Sequence, residues 1–185
     1  MAIKVSFCDL THTGQVVAAN TFPLGIAYVA GYANQQLAHE VDFEIFKYPH
    51  DFSRYLESNT PQIACFSAFS WNVRLGHEFA RRIKSVSPQT ITVFGGPNFP
   101  SVRDEQQEFL AKYPAMDCYF EYEGEFAFVE FFNTLKSLDF DWQRFKRART
   151  KVPNIRYLVD GQLVSGAVGP KVQELDKLPS PYLNG

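Results

Sequence analysis

Strand-length apolar runs and helix-period segments alternate five times along the first 138 residues of this chain. The runs cover 3–8, 41–46, 62–67, 90–94 and 116–121. Each is rich in Val, Ile, Phe or Tyr and close to the usual strand length of about 5–6 residues. Several are almost continuously apolar, the pattern of strands covered on both faces. Between them, Ile26, Ala30, Ala33 and Leu37 fall at helical spacing within 22–38. Leu75, Phe79, Ile83 and Val86 do so within 71–86, and Phe128, Phe131, Phe132 and Leu135 within 124–138. Segments 51–58 and 104–113 read as shorter helices, with Asp104 placed to complement a helix N-terminus. This order predicts a parallel sheet with helices on both faces. After Leu138 the alternation stops. Segment 139–151 is polar and locally basic, a connector. Segment 154–166 reads as a β-hairpin around Asp160-Gly161, outside the sheet or at its edge. Segment 169–185 holds three prolines and reads as a linker.

With 185 residues, 45% apolar and 21% charged, the chain suits one globular domain with a short appendage, and disorder is excluded. No apolar run approaches the roughly 20 residues of a membrane helix. The first residues enter a strand pattern at once, so no signal peptide is expected. A net charge of −2 gives no reason to expect nucleic acid or an anionic membrane as partner. The dispersed thiols Cys8, Cys65 and Cys118 fit a reducing cytoplasm and form neither a disulfide framework nor a Cys-x-x-Cys metal site.

Ligands of open parallel sheets bind beyond the carboxyl ends of the strands, and there the sequence is least ordinary. The first run is followed by a long loop, 9–22, apolar at 16–19. Ser67 to Asn72 follow the third run, Gly95-Gly96-Pro97-Asn98-Phe99-Pro100 the fourth, and Glu121 to Glu125 the fifth. Each residue has two readings. Gly95 and Gly96 let a flat ligand group approach the backbone, or make a tight turn stiffened by Pro97. Ser67 and Ser70 bind a ligand or cap a helix. Trp71 stacks on a ligand or packs in the core. Glu123 and Glu125 are solvated residues at a helix start or line a site. His12 stands alone in its loop, and the remaining histidines have no metal-ligand spacing. Neither a phosphate loop nor a Gly-x-Gly-x-x-Gly fingerprint is present, and no catalytic triad is recognisable. The run Arg144, Lys146, Arg147, Arg149 and Lys151, interleaved with Trp142 and Phe145, reads as a solvated connector rather than an RNA contact.

Taken in order, Pro23-Leu24-Gly25-Ile26-Ala27-Tyr28, His39-Glu40-Val41, Phe66-Ser67 leading to Trp71-Asn72, Phe94-Gly95-Gly96-Pro97, and Glu123-Gly124-Glu125 before Phe128 resemble one family. It is the N-terminal cobalamin-binding domain of cobalamin-dependent radical S-adenosylmethionine proteins. The resemblance covers about 1–138. It implies an α/β, flavodoxin-like, three-layer fold with a five-stranded parallel sheet ordered 2-1-3-4-5, followed by the hairpin. It also implies that cobalamin threads its nucleotide tail beside the sheet, near Ser67, Gly95 and Gly96. The corrin would lie across the strand ends, facing a following catalytic barrel. The cofactor-binding residues so implied are Ser67, Trp71, Asn72, Gly95, Gly96, Pro97, Gly124 and Glu125. No catalytic residue and no protein metal ligand is expected. Histidine-ligating relatives carry Asp-x-His-x-x-Gly; here Asp9-Leu10-Thr11-His12-Thr13-Gly14 places the histidine one residue late. The resemblance therefore implies base-off cobalamin without a histidine ligand. The three-cysteine iron–sulfur motif is missing. The expected organisation is a cobalamin-binding part (1–138), a connector and hairpin (139–168), and a linker (169–185) toward a catalytic barrel in a longer enzyme. That barrel would carry the iron–sulfur cluster and S-adenosylmethionine. Two other readings stay open: a flavodoxin-like module for FMN or a nucleotide, and a structural domain whose slot is filled by Phe69, Trp71 and Phe99.

Overall fold

The computed structural model describes residues 2–14 and 21–183. The apolar stretch 16–19 and the last two residues of the tail lie outside the described residues. Five strands, β1 (Ile3–Cys8), β2 (Val41–Phe46), β3 (Ile63–Ser67), β4 (Ile91–Gly95) and β5 (Cys118–Phe120), pair in parallel in the order 2-1-3-4-5. The hairpin strands β6 (Ile155–Val159) and β7 (Gln162–Ser165) extend the same sheet antiparallel beyond β5, giving seven strands. The hairpin thus sits at the edge of the sheet rather than apart from it. Arg156 fixes the join: its Nη2 lies 2.8 Å from Glu121 Oε2, and its Nη1 donates to the Gly166 carbonyl at 2.9 Å.

The helices are α1 (Leu24–Leu37), α2 (Pro49–Ser58), α3 (Val73–Val86), α4 (Arg103–Lys112), α5 (Gly124–Lys136) and α6 (Trp142–Arg147). Helix α6 arises within the segment expected to be a connector. Asp141 accepts a hydrogen bond from the Arg144 N–H at 2.9 Å and so starts the helix, while Trp142 and Phe145, three residues apart, turn inward. The basic residues stay outside, where Arg144, Arg147 and Arg149 face Asp139, Asp141 and Asp160 at 3.9–4.0 Å.

Side-chain alternation sorts the core into two layers. On one face Val5, Phe7, Ile63, Cys65, Ile91, Val93, Cys118 and Phe120 pack against α1, α5 and α6 through Ala30, Phe128, Phe131 and Phe145. On the other, Cys8, Phe66, Phe94 and Tyr119 pack with Phe52, Ile83 and Leu110 of α2, α3 and α4. Much of the 16% aromatic content is core. Each fully buried Phe contributes about 1.5–3 kcal/mol. The tail returns along α1: Pro179 seats against Gly31, and the Tyr182 ring lies 4.7 Å from that of Phe22. None of the described helices is long and apolar enough to cross a membrane.

Candidate functional site

Two residues past each core row, the α1/α5 face runs out of apolar side chains. Beyond Phe7 comes Asp9, beyond Cys65 comes Ser67, and beyond Val93 comes Gly95. Gly95 carries no side chain, so a gap opens there between the sheet and the starts of α1 and α5. The result is a cleft of about 390 Å³, a size usual for a small-molecule site. Its depth is apolar, formed by Phe7, Cys65, Val93, Phe120, Val29 and Phe128. Its mouth carries Asp9, Lys47, Ser67, Trp71, Tyr122 and Glu125.

Of the residues singled out from sequence, Ser67, Trp71, Gly95, Gly96, Gly124 and Glu125 meet at this cleft. Asn72 and Pro97 do not line it. Asn72 is 1% exposed and serves behind the wall. Its Nδ2 donates to Ser67 Oγ at 3.2 Å and to Asp9 Oδ1 at 3.3 Å, and its Oδ1 accepts the Phe69 N–H at 2.8 Å. Ser67 in turn donates its hydroxyl hydrogen to Asp9 Oδ1. The serine therefore faces the cleft with acceptor capacity only. Asp9 Oδ2 takes a hydrogen bond from Lys47 Nζ at 3.0 Å.

The two adjacent glycines do different things. Gly95 ends β4 on the cleft face, and a Cβ there would meet the Phe120 carbonyl at 3.4 Å, an ordinary contact. Gly96 has φ +133°, and a Cβ there would lie 2.8 Å from the Ala68 carbonyl oxygen and 3.2 Å from its nitrogen. Gly96 is thus demanded by the backbone of the neighbouring loop, whatever else it contacts. Gly124 opens α5 against α1, its Cβ position 3.0 Å from Val29 Cγ2.

Trp71 is half exposed rather than core, stacked on Phe69 at 4.6 Å and 8°. Phe99 lies on the opposite face, stacked on Tyr119 at 4.1 Å. These aromatics leave the cleft open. His12 Nε2 lies 2.9 Å from the Trp71 carbonyl; a carbonyl only accepts, so that nitrogen carries the hydrogen. Burial pushes the Glu125 carboxyl above the usual range, and the charge of Glu123 adds to this; the Glu125 backbone N–H works against it. Burial likewise raises the Cys65 thiol at the cleft floor, which keeps it protonated and inert. Among the described residues no group of three or more His, Cys, Asp or Glu could hold a metal ion.

Lys47, Phe22, Val29 and Tyr122 were not singled out by sequence reasoning, and Asp9 was named only as the first residue of the shifted histidine motif. Asp9 and Lys47 are the first charged residues beyond β1 and β2 on the α1/α5 face, so alternation carried past the strand ends would have found them. Tyr122 has φ +66° and an exposed ring at the mouth; nothing in its residue type signals that conformation.

The profile of the B12 binding domain matches residues 12–132. A cobalamin-dependent radical SAM methyltransferase, TokK, of Streptomyces tokunonensis is 34% identical over 128 residues, 68% of this chain and 17% of that protein. A 2-(S-pantetheinyl)-carbapenam-3-carboxylate methyltransferase of Streptantibioticus cattleyicolor is 30% identical over 125 residues, again 68% of this chain and 17% of that protein. The chain thus spans about one sixth of the length of these relatives. Among solved structures, the cobalamin-dependent S-adenosylmethionine radical enzyme OxsB with aqua-cobalamin and S-adenosylmethionine bound superposes with a TM-score of 0.68 at 18% identity. That match covers 99% of this chain and 24% of that one. Its apo form gives 0.60 at 19% identity, with the same coverage. The chain belongs to the B12 binding domain family and is a cobalamin-binding domain similar to those of cobalamin-dependent radical S-adenosylmethionine enzymes.

Proposed function

We propose that this domain holds cobalamin base-off, with the nucleotide tail in the cleft between α1, α5 and the ends of β1, β3, β4 and β5, and with no histidine on cobalt. The observation that carries the reading is the side-chain-free gap at Gly95. It continues an apolar slot down to Phe7, Cys65 and Phe128 while polar groups stay at the mouth. Such a slot suits a flat, largely apolar base inserted beside the sheet, and 390 Å³ suits the tail rather than a whole corrin. Gly95, Gly96 and Gly124 let the base approach backbone. Ser67, held by Asp9 and Asn72, accepts a hydrogen bond from the tail. Trp71, flat and exposed on Phe69, offers a face to the corrin, and Glu125 accepts from its amide groups. When bound, the cofactor supplies a redox-active cobalt centre; the residues of this chain bind and orient it.

The absence of a histidine ligand rests on two features of this chain. His12 is one residue out of register with the motif of histidine-ligating relatives, and its Nε2 is committed to Trp71. Asn72 and Pro97, implied by resemblance to touch the cofactor, act from behind the wall and through the turn.

The domain is one part of a longer radical S-adenosylmethionine enzyme of the cytoplasm. Its segment 169–185 leads to a barrel that covers the corrin and holds the iron–sulfur cluster and S-adenosylmethionine. The short share of each relative that the chain spans supports this. The tail also supports it, since Tyr182 comes back to Phe22 at the rim of the cleft. Titration with hydroxocobalamin, followed by absorbance, tests the binding. A saturable shift to a base-off spectrum is expected, and FMN should give none. No spectral shift at near-millimolar cobalamin would overturn the reading.

A further inference from the structure

Lys47 is the single cationic side chain lining the cleft among the described residues; the acids there are Asp9 and Glu125. Its position follows from the chain. It is the first residue beyond β2 and continues the face of Val41 and Phe43, which brings its stem over the α1/α5 side of the sheet. Lys47 and Asp9 are mostly withdrawn from water, with side chains 14% and 16% exposed.

Withdrawing a flexible ammonium from water is costly, and a lone ion pair repays it poorly unless the remaining donors and acceptors are satisfied. The carboxylate of Asp9 is well satisfied. Oδ1 receives the Ser67 hydroxyl and the Asn72 amide, and Oδ2 receives Lys47. The described residues supply less to the ammonium. It has three N–H donors, and among the described residues one of them is used, by Asp9. Asp9 holds the lysine in one orientation, so the rotamer entropy that a ligand would otherwise have to offset is already spent. Trp71 and Tyr122 at the mouth offer neutral donors, so Lys47 is the one charged donor on the wall among the described residues. Ser67 has committed its hydrogen to Asp9, and Asp9 and Glu125 in ionised form only accept.

From this arrangement we infer that Lys47 binds an anionic phosphodiester, the phosphate of the cofactor's nucleotide tail. This rests on the reading of the cleft above and adds a residue to it. The Asp9–Lys47 pair is then a positioning device, and the lysine discriminates corrinoids that carry a tail from those that do not. A charge-assisted hydrogen bond in a mostly dry cleft is among the stronger polar contacts available.

The test compares hydroxocobalamin with cobinamide, a corrinoid lacking the nucleotide and its phosphate, on wild type, Lys47→Met and Lys47→Arg. Wild type should prefer cobalamin. Lys47→Met should lose about tenfold or more in cobalamin affinity and change cobinamide affinity less than twofold, while Lys47→Arg recovers most of the loss. Because Lys47→Met leaves Asp9 without its counter-charge, the double variant Asp9→Asn/Lys47→Met is measured alongside, and the same selective loss is expected. Parallel losses for both corrinoids, or none for either, overturn the assignment of Lys47. A wild type that binds neither corrinoid overturns the reading of the cleft and this inference with it.

Discussion

Replacing Gly96 by Ala should damage the fold and not only ligand binding. At φ +133° an L-residue is strained by about 1–3 kcal/mol. The added Cβ would also lie 2.8 Å from the Ala68 carbonyl oxygen, with the Ala68 nitrogen and carbonyl carbon at 3.2 and 3.3 Å. These are backbone atoms and cannot swing aside. Ala68 is itself pinned, its N–H bonded to the Gly95 carbonyl at 2.7 Å and its carbonyl accepting from Asn98 at 3.2 Å. Relief of the clash therefore weakens at least one hydrogen bond of about 0.5–1.5 kcal/mol. Together these come to about 1.5–4.5 kcal/mol. For a domain of 185 residues, at about 2–4 °C per kcal/mol, Tm should fall by roughly 3–18 °C. Thermal melts of the ligand-free protein, followed by circular dichroism, measure this. A Gly96→Ala variant melting within about 1 °C of wild type would refute the reasoning and return Gly96 to a purely ligand-facing role.

Gly95→Val should do the opposite. Its side chain enters the cleft with only an ordinary contact behind it, so cobalamin binding should fall by more than tenfold while Tm moves by less than about 3 °C; titration and melt on one sample decide. His12→Ala should leave the absorbance spectrum of bound cobalamin unchanged, and a change of cobalt ligation on mutation would contradict the histidine-free reading. His77 is buried, and its Nε2 accepts the Ala115 N–H at 3.2 Å, a bond the protonated ring cannot make. Burial lowers its pKa below the usual value near 6.5, partly offset by Glu78. The unfolded chain then binds more protons in that range, so the contribution of His77 is complete above about pH 6.5 and is lost as pH falls below it. His77→Gln should flatten this acid-side loss in urea melts run between pH 5 and 7.5.

The parallel strands were legible because strands buried on both faces are almost continuously apolar, as 63–66 is. Helix α6 was not, because six residues give too little period to see: only Trp142 and Phe145 turn inward, and the basic residues dominate the composition. The cleft was half legible. Gly-Gly after a strand announces an open place, but which glycine ends the strand on the cleft face is a matter of register, decided by β4 pairing Ser67 with Gly95 and Gly95 with Phe120. Asp9 and Lys47 lie 38 residues apart in sequence and meet only because β1 and β2 are neighbours in the sheet. Asn72 stands behind the wall and does not line the cleft, and a buried amide bracing a serine and an exposed one at a cleft look alike in sequence.

The central claim, cobalamin held base-off without a histidine, is tested most directly by electron paramagnetic resonance of the domain loaded with cob(II)alamin. Base-off binding without a histidine gives a protein-bound spectrum whose cobalt lines carry no nitrogen superhyperfine splitting. Triplet splitting from one axial nitrogen, whether from His12 or from the cofactor's own base, would contradict it.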